Sequence, residues 1–316
     1  MSEIERAVTA VIRDCLGVRT GEDVLVVCNP ATQELAERLR REAENAGAEA
    51  VIASMAERES HAAEPPETVA AAMLEADVIL APTVQSLSHT AARRAATDRG
   101  ARAATFPGAT EEMLARVMSA DLGELRRRGH ALAEILTRGA EARITCPYGS
   151  DLTLSIEGRT ATPDTGELTE PGAFGNLPCG EGFVAPHEDR GGGRLVIDGT
   201  IASIGVPADP VELEVEAGRL ISATRPEGEL LMELLAKHGP DGTRVAELGV
   251  GTNEKAILSS ELLEAEKILG TVHVAFGASA GIGGTIQVPV HLDCVVMKPT
   301  LEIGGELVVR EGELLV

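Results

Sequence analysis

From Glu22 to about Cys146, short β-branched runs alternate with helix-length segments rich in Arg, Glu and Ala, and this rhythm leaves the chain few folds. A short apolar run between turn signals fills a strand buried on both faces. A helix-length stretch between two such runs brings the chain back so that the next strand lies parallel to the last. Val24–Cys28, Ala50–Ala53, Asp77–Leu80 and Ala101–Phe106 are the expected strands; Thr32–Ala46, ended by Gly47, Glu111–Met118 and Leu122–Leu136 are the expected helices. The first half therefore reads as an α/β domain on a parallel sheet covered on both faces.

From Asp151 onward the texture changes. Leu152–Ile156 alternates, a Pro/Gly/Thr stretch from Ala161 to Gly175 reads as loop, and Arg194–Asp198, Val211–Val215 and Leu220–Ser222 read as antiparallel strands, with Ala217-Gly218 turning the last pair. One helix, Pro226–His238, interrupts them. A chain of 316 residues favours two cores over one. The expected organisation is an α/β domain over residues 1–146 followed by a β-rich metal-binding domain over 147–316.

A formal net charge of −22 repels phosphate backbones and anionic membrane surfaces, which argues against nucleic acid or lipid as principal partner. Arginine outnumbers lysine 24 to 4, a feature of composition from which no activity is read. Cys15, Cys28, Cys146, Cys179 and Cys294 form no CxxC pair and no disulfide framework, so a reducing, cytoplasmic setting is expected. The N-terminal segment has no apolar run of the signal-peptide kind, and no stretch is long enough to span a bilayer. The turn after the first strand is Asn29-Pro30-Ala31, and neither a G-x-G-x-x-G nor a P-loop pattern occurs in this half, so a nucleotide cofactor has no support. His61, His89 and His130 stand isolated and are read as surface or structural residues.

The chemistry gathers in the second half. His291-Leu292-Asp293 lies in a β-branched run, where alternate side chains share a face, so an imidazole and a carboxylate point the same way. Burying them together costs desolvation unless something positive lies between them, a need that a divalent cation meets. Glu247 interrupts the apolar run Val245–Val250, and a buried carboxylate needs a cation, an arginine or a proton. His273 falls on the strand face of Thr271 and Ala275, small neighbours that leave room around the ring, and Glu181 is bracketed by Gly180 and Gly182. Together Glu181, Glu247, His273, His291 and Asp293 form a thiolate-free donor set that favours Zn, Mn, Co or Fe and suits two ions bridged by a carboxylate. On the same alternation Cys294 faces away from Asp293 and belongs to the core, while the role of Cys179 stays open. Gly277-Ala278-Ser279-Ala280-Gly281 matches G-x-S-x-G, but the glycines that follow are unfit to start the helix of a nucleophile elbow and no His follows Asp293.

The segments around Glu181 (NLPCGEGFVAP), Glu247 (AELGVGTN), His273 (GTVHVAFG) and the closing His291-Leu-Asp293 resemble the M29 aminopeptidases, also called the aminopeptidase T or thermophilic metalloprotease family, and the similarity extends to the α/β first half. The resemblance implies a homodimer with two divalent ions, Zn, Co or Mn, held by Glu181, Glu247, His273, His291 and Asp293, one glutamate bridging. It also implies metal-activated hydrolysis at the amino terminus of a small peptide. Ala280 stands where that family usually has a tyrosine, the only tyrosine being Tyr148, and Ile268 stands where its peptidases carry a metal-site glutamate, with Glu266 nearby. The same fold and a related closing motif occur in Fe(II)-dependent ring-cleaving enzymes similar to 2,5-dihydroxypyridine dioxygenase, for which two histidines and a carboxylate suffice and to which Gly281–Gly284 and the missing tyrosine also point. An aminopeptidase-like hydrolase is the first expectation. The dioxygenase and a relative that keeps its metal for structure alone are the alternatives.

Overall fold

The computed structural model describes all 316 residues and divides them into two compact units, Met1–Ala120 with Gly166–Cys179, and Asp121–Thr165 with Gly180–Val316. The division differs from the 1–146 and 147–316 expected from texture. Helix Leu122–Arg138 belongs to the second unit, because Leu132 and Leu136 are buried in that unit's core. Residues 166–179 belong to the first, because Phe174–Asn176 is a strand of its sheet.

The first unit is the parallel sheet that the rhythm requires. Strands Asp23–Cys28, Glu49–Ser54, Val78–Ala81 and Arg102–Thr105 form within a residue or so of the expected runs. Their order is Glu49–Ser54, Asp23–Cys28, Val78–Ala81, Arg102–Thr105 and Phe174–Asn176, with every pairing parallel. Leu25, Val27, Ile79 and Ala103 pack with Val69, Met73, Ala92 and Ala96 of helices Glu67–Glu75 and Ala91–Asp98. Helix Gln33–Asn45 packs on strands Asp23–Cys28 and Glu49–Ser54 with Leu35, Ala36 and Leu39 buried. Phe174 and Gly175 fall in the stretch read as loop; a three-residue strand with Pro171-Gly172 just before it and Pro178 just after it gives too little periodicity to read.

The second unit holds two antiparallel sheets around one core. An eight-stranded sheet contains the expected strands Asp151–Ser155, Gly192–Ile197, Val211–Glu216 and Arg219–Ala223, the last two joined through Ala217 and Gly218, both at positive φ. A five-stranded sheet runs in the order His291–Val296, Val272–Gly277, Val245–Gly251, Glu181–Val184, Thr162–Asp164. Leu248, Val250, Val272, Val274, Phe276, Leu292, Cys294 and Val296 give this sheet its apolar face, packed in one cluster with Leu152, Leu195 and Leu213 of the larger sheet. Helix Leu122–Arg138 starts where Asp121 accepts hydrogen bonds from the backbone N–H groups of Gly123 and Glu124, and it packs on Glu181–Val184 and Thr162–Asp164. No helix is long and apolar enough to cross a membrane.

Candidate metal centre

Alternation assigns the other face of the five-stranded sheet. Val245–Gly251 presents Glu247, Gly249 and Gly251 there; Val272–Gly277 presents His273, Ala275 and Gly277; the closing strand presents His291 and Asp293. Registration then sets them side by side, since directly opposed residues share a face: Glu181 is opposite Gly251, His273 opposite Gly249, Asp293 opposite Ala275 and His291 opposite Gly277, while Glu247 is also opposite Ala275. Every donor thus faces Gly or Ala on one neighbouring strand, while on the other side His273 is opposite Val295 and Glu181 opposite Asp164. The need is sharpest at Gly249, where a Cβ would lie 2.0 Å from His273 Nε2.

The five side chains form one continuous chain of contacts. His273 Nε2 stands 3.1 Å from Glu181 Oε2 and 3.5 Å from Glu247 Oε1; His291 Nε2 stands 3.2 Å from Glu247 Oε2 and 3.5 Å from Asp293 Oδ1. Two donor triplets result, Glu181/Glu247/His273 and Glu247/His291/Asp293, with ligand atoms of each within 4.8 Å of one another and Glu247 in both. His291 Nδ1 contacts the Ala278 carbonyl at 2.7 Å, which makes Nδ1 the protonated nitrogen and directs Nε2 at the carboxylates, the arrangement that orients ligand histidines.

Burial makes this face electrostatically demanding. His273 is fully buried and Glu181, Glu247 and Asp293 nearly so. Burial pushes the Glu247 carboxyl upward, but its contacts with His273 and His291 outweigh burial and hold it well below the usual carboxylate range. Burial likewise opposes charge on both histidines, and the surrounding carboxylates overcome it: Glu181 and Glu247 at His273, Asp293 and Glu247 at His291, each ring being held protonated well above its ordinary value. Without a metal, the imidazolium protons stand where a cation is called for. Neither ring nitrogen of His273 nor Glu181 Oε2 has a hydrogen-bond partner, although His273 Nε2 and Glu181 Oε2 are 3.1 Å apart. Buried polar atoms that face one another closely without hydrogen-bond alignment, in a set of two nitrogens and three carboxylates, fit a divalent ion.

Three further residues join the cluster. Lys267 is fully buried and its ammonium contacts Glu181 Oε1, Glu266 Oε1 at 2.9 Å and Asp164 Oδ2 at 3.3 Å. Burial acts against its charge, and the three carboxylates more than reverse that, holding Lys267 protonated. Burial raises the Glu266 carboxyl to about 8 and that of Asp164 to about 6, with the neighbouring Glu181 charge adding to both and Lys267 opposing. Glu266 lies on no strand; it follows the short helix Leu262–Ala265 and reaches the cluster through the ammonium. Sequence reasoning missed Lys267 and Asp164. The one available signal was a lysine, one of four in the chain, beside Glu266 in an otherwise apolar stretch.

Ser279 is no exposed nucleophile. Its buried hydroxyl donates to Glu188 Oε1 at 2.9 Å and accepts from the N–H groups of Thr285 and Ile286, while Arg159 pairs with Glu188 at 2.7 Å and donates to the Gly283 carbonyl. This clamp shapes the 278–290 segment that leads into His291. Ala280, at the tyrosine position of the aminopeptidases, is exposed, and Tyr148 is exposed in the turn between strands Glu141–Thr145 and Asp151–Ser155. Cys294 lies in the apolar core, as its strand phase requires, and Cys179 is buried in the first unit.

Fold and cluster together define an α/β protein whose β-rich unit carries a carboxylate and imidazole set of the metal-binding kind. The chain belongs to the NicX family, 2,5-dihydroxypyridine 5,6-dioxygenase, whose sequence model matches residues 3–316. No curated protein matches the sequence. Its fold is similar to that of 2,5-dihydroxypyridine dioxygenase from Pseudomonas putida KT2440, with a TM-score of 0.87 and 18% identity, over 100% of this chain and 98% of that one. It is also similar to AmpT from Thermus thermophilus, of the aminopeptidase T family, with a TM-score of 0.74 and 18% identity over 99% of each chain. Both resemblances read from the sequence are therefore present in the fold.

Proposed function

We propose that this protein is a metal-dependent dioxygenase that opens the ring of a small hydroxylated pyridine, with Fe(II) taken up on the face formed by Glu247, His273, His291 and Asp293. The observation that carries the reading is the family match over residues 3–316. It reverses the order expected from the five-donor motif, which placed the hydrolase first. The donor set supports it: two imidazoles with carboxylates and no thiolate suit non-haem iron and leave coordination positions free. A bound iron would supply the redox centre at which O2 and the ring meet. The chain's own contribution is orientation and access. The Ala278 carbonyl aims His291, Glu247 stays ionised between the two histidines, and the His291 side chain, 22% exposed against 9% or less for the other four, marks the side open to a substrate.

A second reading, the aminopeptidase-like hydrolase, is favoured by one observation. The two donor triplets share Glu247, as two ions bridged by a carboxylate require. The deciding experiment loads metal-free protein anaerobically with Fe(II), adds 2,5-dihydroxypyridine and O2, and follows ring absorbance and oxygen uptake together. Parallel samples with Zn, Co or Mn receive a peptide panel. Loss of the ring in step with O2 consumption is the expected result. Release of N-terminal residues without oxygen uptake would replace the dioxygenase by the hydrolase.

A further inference from the structure

His273 and His291 are held in different ways. His273 is fully buried with its ring over Gly249, and neither of its nitrogens has a hydrogen-bond partner. The His291 side chain is 22% exposed, and its Nδ1 is fixed by the Ala278 carbonyl at 2.7 Å. Ala278 opens a connection, 278–290, whose only regular element is the 3-10 turn Ala280–Ile282, with glycine at 281, 283 and 284. Such a segment has no propensity of its own that would hold one carbonyl in place.

Glu188 supplies that constraint. Its Oε1 accepts from Ser279 Oγ at 2.9 Å, from the Thr285 N–H at 2.6 Å and from Thr285 Oγ1 at 3.1 Å, and its Oε2 accepts from Arg159 at 2.7 Å. Arg159 in turn donates to the Gly283 carbonyl, so the start, middle and end of the loop all meet on one ion pair. The fit is close: a Cβ at Gly284 would lie 2.2 Å from Ser279 Oγ and 2.6 Å from Glu188 Oε1. The Glu188 backbone is itself anchored, its carbonyl accepting from Arg244 at 2.9 Å and the neighbouring His187 N–H donating to the Ser155 carbonyl at the end of strand Asp151–Ser155. Burial opposes the Glu188 charge, but its own N–H, Thr285, Ser279 and Arg159 outweigh burial and hold the carboxyl below its ordinary value.

We infer that Glu188 is a positioning residue for the metal ligand His291: its carboxylate fixes the 279–285 loop, the loop fixes the Ala278 carbonyl beside Ser279, and the carbonyl holds Nδ1–H so that Nε2 faces the ion. The inference rests on reading the cluster as a metal centre, and it holds whether the ion serves ring cleavage or hydrolysis. Ser279 is the joint of this relay, with its hydroxyl on the carboxylate and its backbone continuous with Ala278. The serine of the G-x-S-x-G pattern thereby acquires a use that is not nucleophilic.

The test reads Co(II), whose visible bands report the geometry of its ligands without turnover. Metal-free native chain, Glu188→Ala and Ser279→Ala are titrated with Co(II), and thermal melting of the metal-free chains is followed alongside. Glu188→Ala is expected to weaken Co(II) binding by about ten- to a hundredfold and to shift the bands, and Ser279→Ala to weaken it by about tenfold. Acetate, small enough to enter the space vacated by the Glu188 side chain, should restore part of the affinity and the native bands to Glu188→Ala. A lower melting temperature with native bands and affinity within about twofold of native in both folded variants would show a role in stability alone and overturn the inference. If Glu188→Ala does not fold, Ser279→Ala decides, and native affinity with native bands there overturns it. A native chain that binds no Co(II) would sink the metal-centre reading and the inference together, whereas tight binding by native and variants alike would sink the inference alone.

Discussion

The C-terminal edge of the parallel sheet and one face of the five-stranded sheet bury polar groups in opposite ways. The edge, where open α/β sheets commonly bind ligands, is closed by its own hydrogen bonds. Asn29 donates to the Met55 carbonyl and accepts from Val84 N–H, Thr32 donates to the Pro82 carbonyl, and the Ser88 and Thr105 hydroxyls both reach Asn176 Oδ1. On the five-stranded sheet of the second unit, by contrast, Glu181 Oε2 and both nitrogens of His273 are buried without hydrogen-bond partners. A satisfied polar cluster locks a fold, whereas an unsatisfied one of mixed charge is poised for a cation. The position of a sheet edge alone points to the first unit, whereas the unsatisfied polar atoms point to the second.

Substitutions should separate the two kinds of burial. The largest effect is expected from His291→Ala with Asp293→Ala, which removes two adjacent donors. Ion retention should fall by more than about a hundredfold with the fold intact by circular dichroism, and unchanged metal content would remove the site assignment. Next is Gly249→Ala, whose methyl would collide with His273. It should cost roughly 1–3 kcal/mol in urea unfolding and weaken metal binding as well, and a neutral result would show that the ring need not lie over the glycine. Asn29→Ala leaves the Val84 N–H without its acceptor at a cost of about 1–3 kcal/mol, with no change in metal content. Coupling of Asn29 to metal content would break the contrast between the units.

A separate effect concerns pH. Glu266 is held protonated up to about 8 in the folded chain, against an ordinary value of 4.5. The folded state therefore binds more protons than the unfolded chain between these values, and this contribution lowers stability as pH rises from about 5 to 8. Glu266→Gln removes it, so the metal-free variant should lose less stability than the native chain over that window. Urea midpoints measured at both ends test this, and parallel slopes would show that Glu266 is charged throughout.

Much of the site was legible because its pattern is local. Glu247-x-Gly249-x-Gly251, His273-x-Ala275-x-Gly277 and His291-x-Asp293 each declare a face by alternation, and the intervening Leu, Val, Phe and Cys residues declare the opposite, core face. Glu181 was legible through its flanking glycines, although it begins a strand and does not occupy a simple turn. Lys267 was not legible because its meaning lies in partners distant along the chain: Glu181 is 86 residues away, and Asp164 lies in a Pro/Gly/Thr stretch that carries no period. The division into units differs from the textural boundary for the same reason. Helix Leu122–Arg138 has an amphipathic sequence that would suit either unit, and only long-range packing assigns it.

The donors of the cluster lie on four strands that are consecutive neighbours in one hydrogen-bonded sheet. An ion bound by Glu247, His273, His291 and Asp293 would act as a rivet through three of these strands, none of which could peel away without breaking a coordination bond. Ligation and folding would then be a single equilibrium. Above saturation, each tenfold rise in free ion would add about 1.4 kcal/mol to the unfolding free energy, and heat would be expected to release metal and melt the sheet in the same transition.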